Sequence, residues 1–290
     1  MKEYLKLIRV KHWLKNILVF LPIFFSISMT NLNLLGICLI AFLVFSITSS
    51  IVYVINDIED VEKDRLHPIK KERPLAKGTI TITQANITAC FLSIIDICLM
   101  IFLYMNNRRI GVFIIPVAYL LLNILYSKKL KNIPILDVVV IVVGFILRVM
   151  YGGVVIDVEV SKYLYLMIMF GSFFLGFGKR RNEILKNGEK SRKVLERYNK
   201  EFLDKNMYVS FGLAIVSYTL WCVDPTTIER IGNDYIFWTI PIVIMILQLY
   251  SLHIEENSHG DPVEVILSDK KILLASAFYM IVVVFILYVL

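Results

Sequence analysis

The stretch Leu35–Arg65, LGICLIAFLVFSITSSIVYVINDIEDVEKDR, runs from an uncharged apolar segment into a dense acidic one with no proline between them. Leu35–Ile55 has the length and polarity of a membrane-crossing helix, roughly 17–25 residues. Asn56–Arg65 then carries Asp57, Glu59, Asp60, Glu62 and Asp64 within ten residues. If the helix continues, Asp57, Asp60 and Asp64 stand at i, i+3 and i+7, within about 60° of one another on one face. Three carboxylates so placed repel each other unless a cation sits between them. Hard oxygen ligands suit Mg²⁺, which takes one or two carboxylates together with substrate phosphates.

The rest of the chain matches that first segment. Of its 290 residues 58% are hydrophobic and 19% charged, and the mean hydropathy is +0.71. Soluble domains are about 45–50% apolar even with glycine counted. Eighteen Phe and fifteen Tyr exclude a disordered chain. Cys38, Cys90, Cys98 and Cys222 all lie in apolar stretches, which argues for packed thiols and against a disulfide framework. Nine apolar runs approach membrane-span length: 14–28, 35–55, 85–104, 110–126, 135–156, 163–177, 207–223, 235–253 and 272–290. No small-residue cleavage site follows the first of them, so it reads as a retained helix. The expected fold is an all-α integral membrane protein of about nine transmembrane helices. One transmembrane domain spans residues 1–290, with loops at about 56–84, 127–134, 178–206 and 254–271 on one face.

Basic residues orient the spans. With the N-terminus in the cytoplasm, 26 Lys and Arg fall inside, counting Lys15 at the inner end of the first run. Only Arg108, Arg109, Lys162 and Arg230 fall outside, and Arg148 lies within a span. The inner face then carries a net +9 and the outer face −1. Few charges interrupt the spans, unlike the paired midplane interruptions of many transporters. Chemistry gathered on one face favours an enzyme of the cell membrane working at its cytoplasmic surface over a conduit.

After the acidic segment comes His67-Pro68-Ile69-Lys70-Lys71-Glu72-Arg73-Pro74-Leu75-Ala76-Lys77-Gly78. Its two prolines stiffen a loop, which brings Lys70, Arg73 and Lys77 beside the carboxylates. Acids for a metal and bases for phosphates, side by side, are what a metal–diphosphate requires. Lys15 and the group Lys128, Lys129 and Lys131 fit two readings, a positive-inside marker or a phosphate contact. Much of 186–205 reads as a solvated amphipathic helix. Arg148 is costly in mid-span and needs a partner or a polar cavity; Asp96 is one option. Asp137 sits near the inner boundary, where it lines a site on that face.

Asn56-Asp57-x-x-Asp60-x-x-x-Asp64 resembles the first aspartate-rich motif of the UbiA prenyltransferase superfamily, intramembrane enzymes with nine helices and a Mg²⁺-diphosphate site. Extended through Gly78, the segment is similar to the decaprenyl-phosphate phosphoribosyltransferase branch. So are Trp13-x-Lys15-Asn16, Tyr126-Ser127 through Lys131, Pro134 and Asp137, and Gly144-Phe145 through Arg148 to Gly152-Gly153. Gly178-Lys179-Arg180-x-x-Glu183 and Gly260-Asp261-Pro262-x-Glu264 also agree. Aromatic prenyltransferases of the superfamily carry a second Asp-x-x-x-Asp motif after helix six. Here Lys179-Arg180-Arg181 stands in its place, which suits a donor and acceptor with more phosphates.

The resemblance implies Mg²⁺-dependent transfer of 5-phosphoribose from 5-phosphoribose 1-diphosphate to a polyprenyl phosphate, with release of diphosphate. It places Mg²⁺ on Asp57, Asp60 and Asp64 beside Asn56. Lys70 and Arg73 are expected at the donor phosphates, and Lys179 and Arg180 at the 5-phosphate or the lipid phosphate. Lys15, Tyr126, Lys131, Asp137 and Arg148 are further candidates. The partners implied are the donor, the lipid, the membrane and further copies of the chain, a trimer among the options; nucleic acid is not expected. The rival readings are an aromatic prenyltransferase using a prenyl diphosphate and a non-catalytic lipid-binding or transport protein.

Overall fold

The computed structural model of the chain describes residues 1–67, 70–187, 193–256, 265 and 269–290. Among these residues every regular element is helical. The helices are α1 (Lys2–Leu7), a 3₁₀ segment (Val10–Phe20), α2 (Leu21–Phe25), α3 (Leu32–Glu59), α4 (Val61–Arg65), α5 (Ile82–Asn107), α6 (Gly111–Lys128), α7 (Leu136–Ile156), α8 (Lys162–Asn187), α9 (Lys200–Val223), α10 (Pro225–Ile231), α11 (Ile240–Glu256) and α12 (Lys270–Tyr288). Pro68 and the motif Gly260–Glu264 lie outside the described residues.

Seven helical segments are long and apolar enough to cross a bilayer among the described residues: α3, α5, α6, α7, α9, Tyr235–Glu255 and α12. They coincide with seven of the nine apolar runs. Of the other two, 163–177 lies within the 26-residue α8. The first, 14–28, is divided between the 3₁₀ segment, α2 and a left-handed Ile27.

Local chemistry sets the ends of several helices. Asn31 accepts from the Asn33 and Leu34 amides to start α3. Thr81 and Gln84 form a reciprocal capping box on α5. Asn199 caps α9, and Asp269 caps α12 through the Lys271 and Ile272 amides. On α5 the exposed Ile87, Phe91, Ile94 and Ile101 fall on one stripe. Asp96 is on the opposite side at 100° per residue, buried. A contiguous exposed apolar stripe on a helix of span length is the surface a lipid tail covers.

The chain forms two compact units, Met1–Lys128 with Leu147–Glu159, and Lys129–Ile146 with Val160–Leu290. Helix α7 therefore passes from the second unit to the first between Ile146 and Leu147.

In the first unit the 3₁₀ segment lies along α3. Runs of 3₁₀ helix beyond three or four residues are uncommon, and their side chains eclipse every third residue. That period aligns Trp13, Asn16 and Val19. The Trp13 indole donates to Ser50 Oγ at 3.0 Å, and Asn16 Nδ2 donates to Ser46 Oγ at 3.0 Å. Ser46 and Ser50 are one α-turn apart, so a three-residue period on one helix meets a four-residue period on the other. Val19 reaches Gly152 of α7: a Cβ there would stand 2.0 Å from the Val19 carbonyl oxygen. Only glycine allows backbones that close.

In the second unit α8 and α9 pack against α11 around Phe174, Phe177, Leu203, Met207, Tyr250 and Ile254. The stretch 186–205 differs from a solvated amphipathic helix where it is described. Lys193–Arg197 is a 3₁₀ turn that buries Val194 and Leu195, and Tyr198 is buried beside them. The apolar side chains among the charges in this stretch feed the core.

Candidate functional site

The acidic segment does not continue as one helix. Helix α3 ends at Glu59, Asp60 takes up a non-helical conformation, and α4 resumes at Val61. The Asp60 amide still bonds to the Asn56 carbonyl, and the Asp64 amide to the Asp60 carbonyl. Around this break the three aspartates differ in burial and in partners. Asp57 and Asp64 are buried, at 2% and 3% exposure, whereas Asp60 is half-exposed and pairs with Lys63 at 3.4 Å.

Buried carboxylates need partners, and arginines supply them. Arg73 Nη1 donates to Asp57 Oδ1 at 3.0 Å and to Asp64 Oδ2 at 2.6 Å. Arg9 Nη2 donates to the same Asp57 oxygen at 2.5 Å and lies 4.5 Å above the Tyr53 ring. Lys70 Nζ stands 3.9 Å from Asp64 Oδ1. The loop holding Lys70 and Arg73 is pinned from below by Leu75 and Ile80, packed on Leu7, Val54 and Val61. Gly78 takes the left-handed turn that returns the chain to α5.

Among the described residues no three His, Cys, Asp or Glu side chains are grouped as a ready-made metal cage. Two carboxylates nevertheless converge on one cationic atom, Arg73 Nη1. That donor set fits Mg²⁺, which needs only one or two carboxylates when substrate phosphates complete its shell.

Below this cluster in the sequence of the first unit, Arg148 finds neutral acceptors. Its Nε donates to Asn16 Oδ1 at 2.7 Å and its Nη2 to Tyr119 OH at 2.9 Å, with the Phe45 and Tyr119 rings against the guanidinium. Asp96 accepts the Thr48 hydroxyl at 2.7 Å. Tyr126 is half-buried on α6, and Lys15 is half-buried on the 3₁₀ segment.

The second unit contains a different cluster. Asp137 is fully buried, accepting from Arg180 Nε at 2.6 Å on one oxygen and from Tyr198 OH at 2.7 Å on the other. Arg180 Nη1 also donates to Glu183 at 2.8 Å. Burial first, and then the hydrogen bond to Asp137, hold the Tyr198 phenol above its ordinary pKa. Neighbouring Arg181 bridges Asp204 of α9 and Glu255 of α11 at 2.5 and 2.6 Å. Lys179 and Lys131 are half-buried.

The structure thus joins Asp57, Asp64, Lys70 and Arg73 in one unit, and Asp137 with Arg180 in the other. Two participants escaped the sequence reading. Arg9 looked like one more inner-face cation; its left-handed φ of 52° and its reach to Asp57 have no local signature. Tyr198 was hidden in a stretch whose charges suggested solvent.

A model of the UbiA prenyltransferase family matches residues 17–268. The chain is 34% identical over 272 residues to the decaprenyl-phosphate phosphoribosyltransferase of Corynebacterium glutamicum, covering 92% of this chain and 81% of that protein. It is 31% identical over 280 residues to the protein of the same name from Mycolicibacterium smegmatis, covering 92% and 86%. In fold it resembles a UbiA homolog from Archaeoglobus fulgidus bound to DMAPP and Mg²⁺. The TM-score is 0.71 at 19% identity, over 99% of this chain and all of that one.

Proposed function

The chain belongs to the UbiA prenyltransferase family and is a transferase, and from that premise we propose that it moves 5-phosphoribose from 5-phosphoribose 1-diphosphate to a polyprenyl phosphate. A lipid phosphate oxygen forms the new bond to ribose C1 while the bond from C1 to diphosphate breaks and diphosphate leaves with the electron pair. The observation that carries this reading is the likeness to two proteins of that name over more than nine-tenths of the chain.

The site chemistry is in keeping with it. Loss of diphosphate builds positive charge on the ribose and negative charge on the leaving group. Asp57 and Asp64, with Asp60 beside them, would hold Mg²⁺, which when bound neutralises the leaving charge. Arg73 and Lys70 sit on the same carboxylates and are offered to the donor diphosphate. The lipid phosphate is already an anion and needs no strong base, so the task left to the protein is positioning. Lys131 and Lys179, with Lys15 and Tyr126, are offered to the 5-phosphate and the lipid phosphate. Arg180 is committed to Asp137 and Glu183, so its part is to hold the surrounding chain. The basic loops and the water-soluble donor support a reaction at the cytoplasmic surface of the membrane.

Purified protein with Mg²⁺, 5-phosphoribose 1-diphosphate and polyprenyl phosphate is expected to release diphosphate and form lipid-linked phosphoribose. Absence of that product, with turnover of a prenyl diphosphate onto an aromatic acceptor, overturns the reading.

A further inference from the structure

Ile135 has a φ of 71°. A β-branched side chain in the left-handed region is a genuine outlier, held only when the surroundings over-determine it. Packing of the side chain does not hold it, because Ile135 is 49% exposed. The grip is on its backbone. The Ile135 amide donates to Tyr198 OH at 2.5 Å, and its carbonyl accepts the Val138 and Val139 amides that open α7.

Tyr198 is itself fixed. Its hydroxyl proton goes to Asp137 Oδ1, and the other Asp137 oxygen takes Arg180 Nε, whose guanidinium reaches on to Glu183. Asp137 and Arg180 are 0% and 1% exposed. A buried, fully satisfied chain of this kind makes a rigid frame, since each lost bond leaves an uncompensated polar group. The segment it grips begins with the 3₁₀ turn Leu130–Asn132, which carries Lys131 and packs against the turn Lys193–Arg197 just before Tyr198.

We infer that Tyr198 is a positioning residue: by clamping the strained Ile135 backbone to Asp137 and Arg180, it holds Lys131 at the place where that ammonium meets a phosphate of the substrate. The inference rests on the proposed phosphate role of Lys131.

A double-mutant cycle tests it, read on equilibrium binding of 5-phosphoribose 1-diphosphate with Mg²⁺ and on its KM. Tyr198→Phe and Lys131→Ala are each expected to weaken donor binding about tenfold with a smaller change in kcat. The double variant should be no weaker than the worse single one, because each removes the same contact. Amide exchange at Ile135 should quicken in Tyr198→Phe. Multiplying effects, a Lys131→Ala protein with unchanged donor binding, or a Tyr198→Phe loss confined to thermal stability overturns the inference. If the wild type binds a prenyl diphosphate and not the phosphoribosyl donor, the proposed reaction fails by itself. The cycle is then read on the prenyl diphosphate with the same outcomes.

Discussion

Arg73 and Arg180 each bridge two carboxylates, but they do so under opposite conditions. Arg73 comes from a loop, its side chain is 29% exposed, and it shares Asp57 with Arg9. Arg180 comes from the helix α8, its side chain is 2% exposed, and its partner Asp137 is entirely buried. Asp57 and Asp64 are themselves buried, but a guanidinium that reaches water can trade its hydrogen bonds for phosphates without being stranded, which is what the proposed function asks of Arg73. One sealed in the protein exchanges nothing without stranding a charge. On the proposed function, the same pairing serves turnover in one unit and stiffens the other.

Four substitutions break or sharpen this contrast. Asp57→Asn removes a carboxylate from the exchangeable cluster. Phosphoribosyl transfer is expected to fall on the order of a thousandfold while the purified protein stays folded; near-normal turnover would remove Asp57 from the metal site. Arg180→Met strands Asp137 and Glu183, and stability should drop by about 3–5 kcal/mol, read as thermal unfolding in detergent. An unshifted transition would mean that water reaches the buried cluster. Arg73→Gln leaves buried Asp57 with Arg9 and buried Asp64 with Lys70. Stability should therefore fall by about 1–3 kcal/mol, less than in Arg180→Met, while donor turnover falls about a hundredfold. If stability falls as far as in Arg180→Met, the distinction between the two arginines fails. Gly152→Ala probes neither cluster but the support beneath the first. The added methyl, 2.0 Å from the Val19 carbonyl oxygen, should cost about 1–3 kcal/mol by overpacking. Activity per folded molecule should change least of the four.

How much of this was legible depended on the range of the interactions. Helix α3 and its acidic end stood out because length, apolarity and carboxylate spacing are local properties. The break at Asp60 did not, since no proline or glycine marks it; the helix ends where Asp57 and Asp64 turn to a common arginine. The first apolar run was legible as apolar, yet its 3₁₀ winding depends on Ser46, Ser50 and Gly152, residues of other helices. Arg148 signalled in mid-span that it needed partners. The neutral pair Asn16 and Tyr119 answered, which a search for a matching acid overlooks. Residues 193–198 misled because charge frequency describes a surface only when the apolar residues between the charges have nowhere to pack.

By itself the sequence determined an all-helical membrane chain, the gathering of basic residues in certain loops between its apolar runs, and a family motif running from Asn56 to Gly78. These follow from hydropathy, charge and spacing, which act through solvent and neighbours a few residues away. Only the tertiary structure decided which carboxylate answers to which cation. Arg9 meets Asp57 across 48 residues, Arg180 meets Asp137 across 43, and Tyr198 meets Asp137 across 61. Hydrogen bonds and ion pairs act within about 3–4 Å, so their partners are selected by helix packing that brings distant segments together.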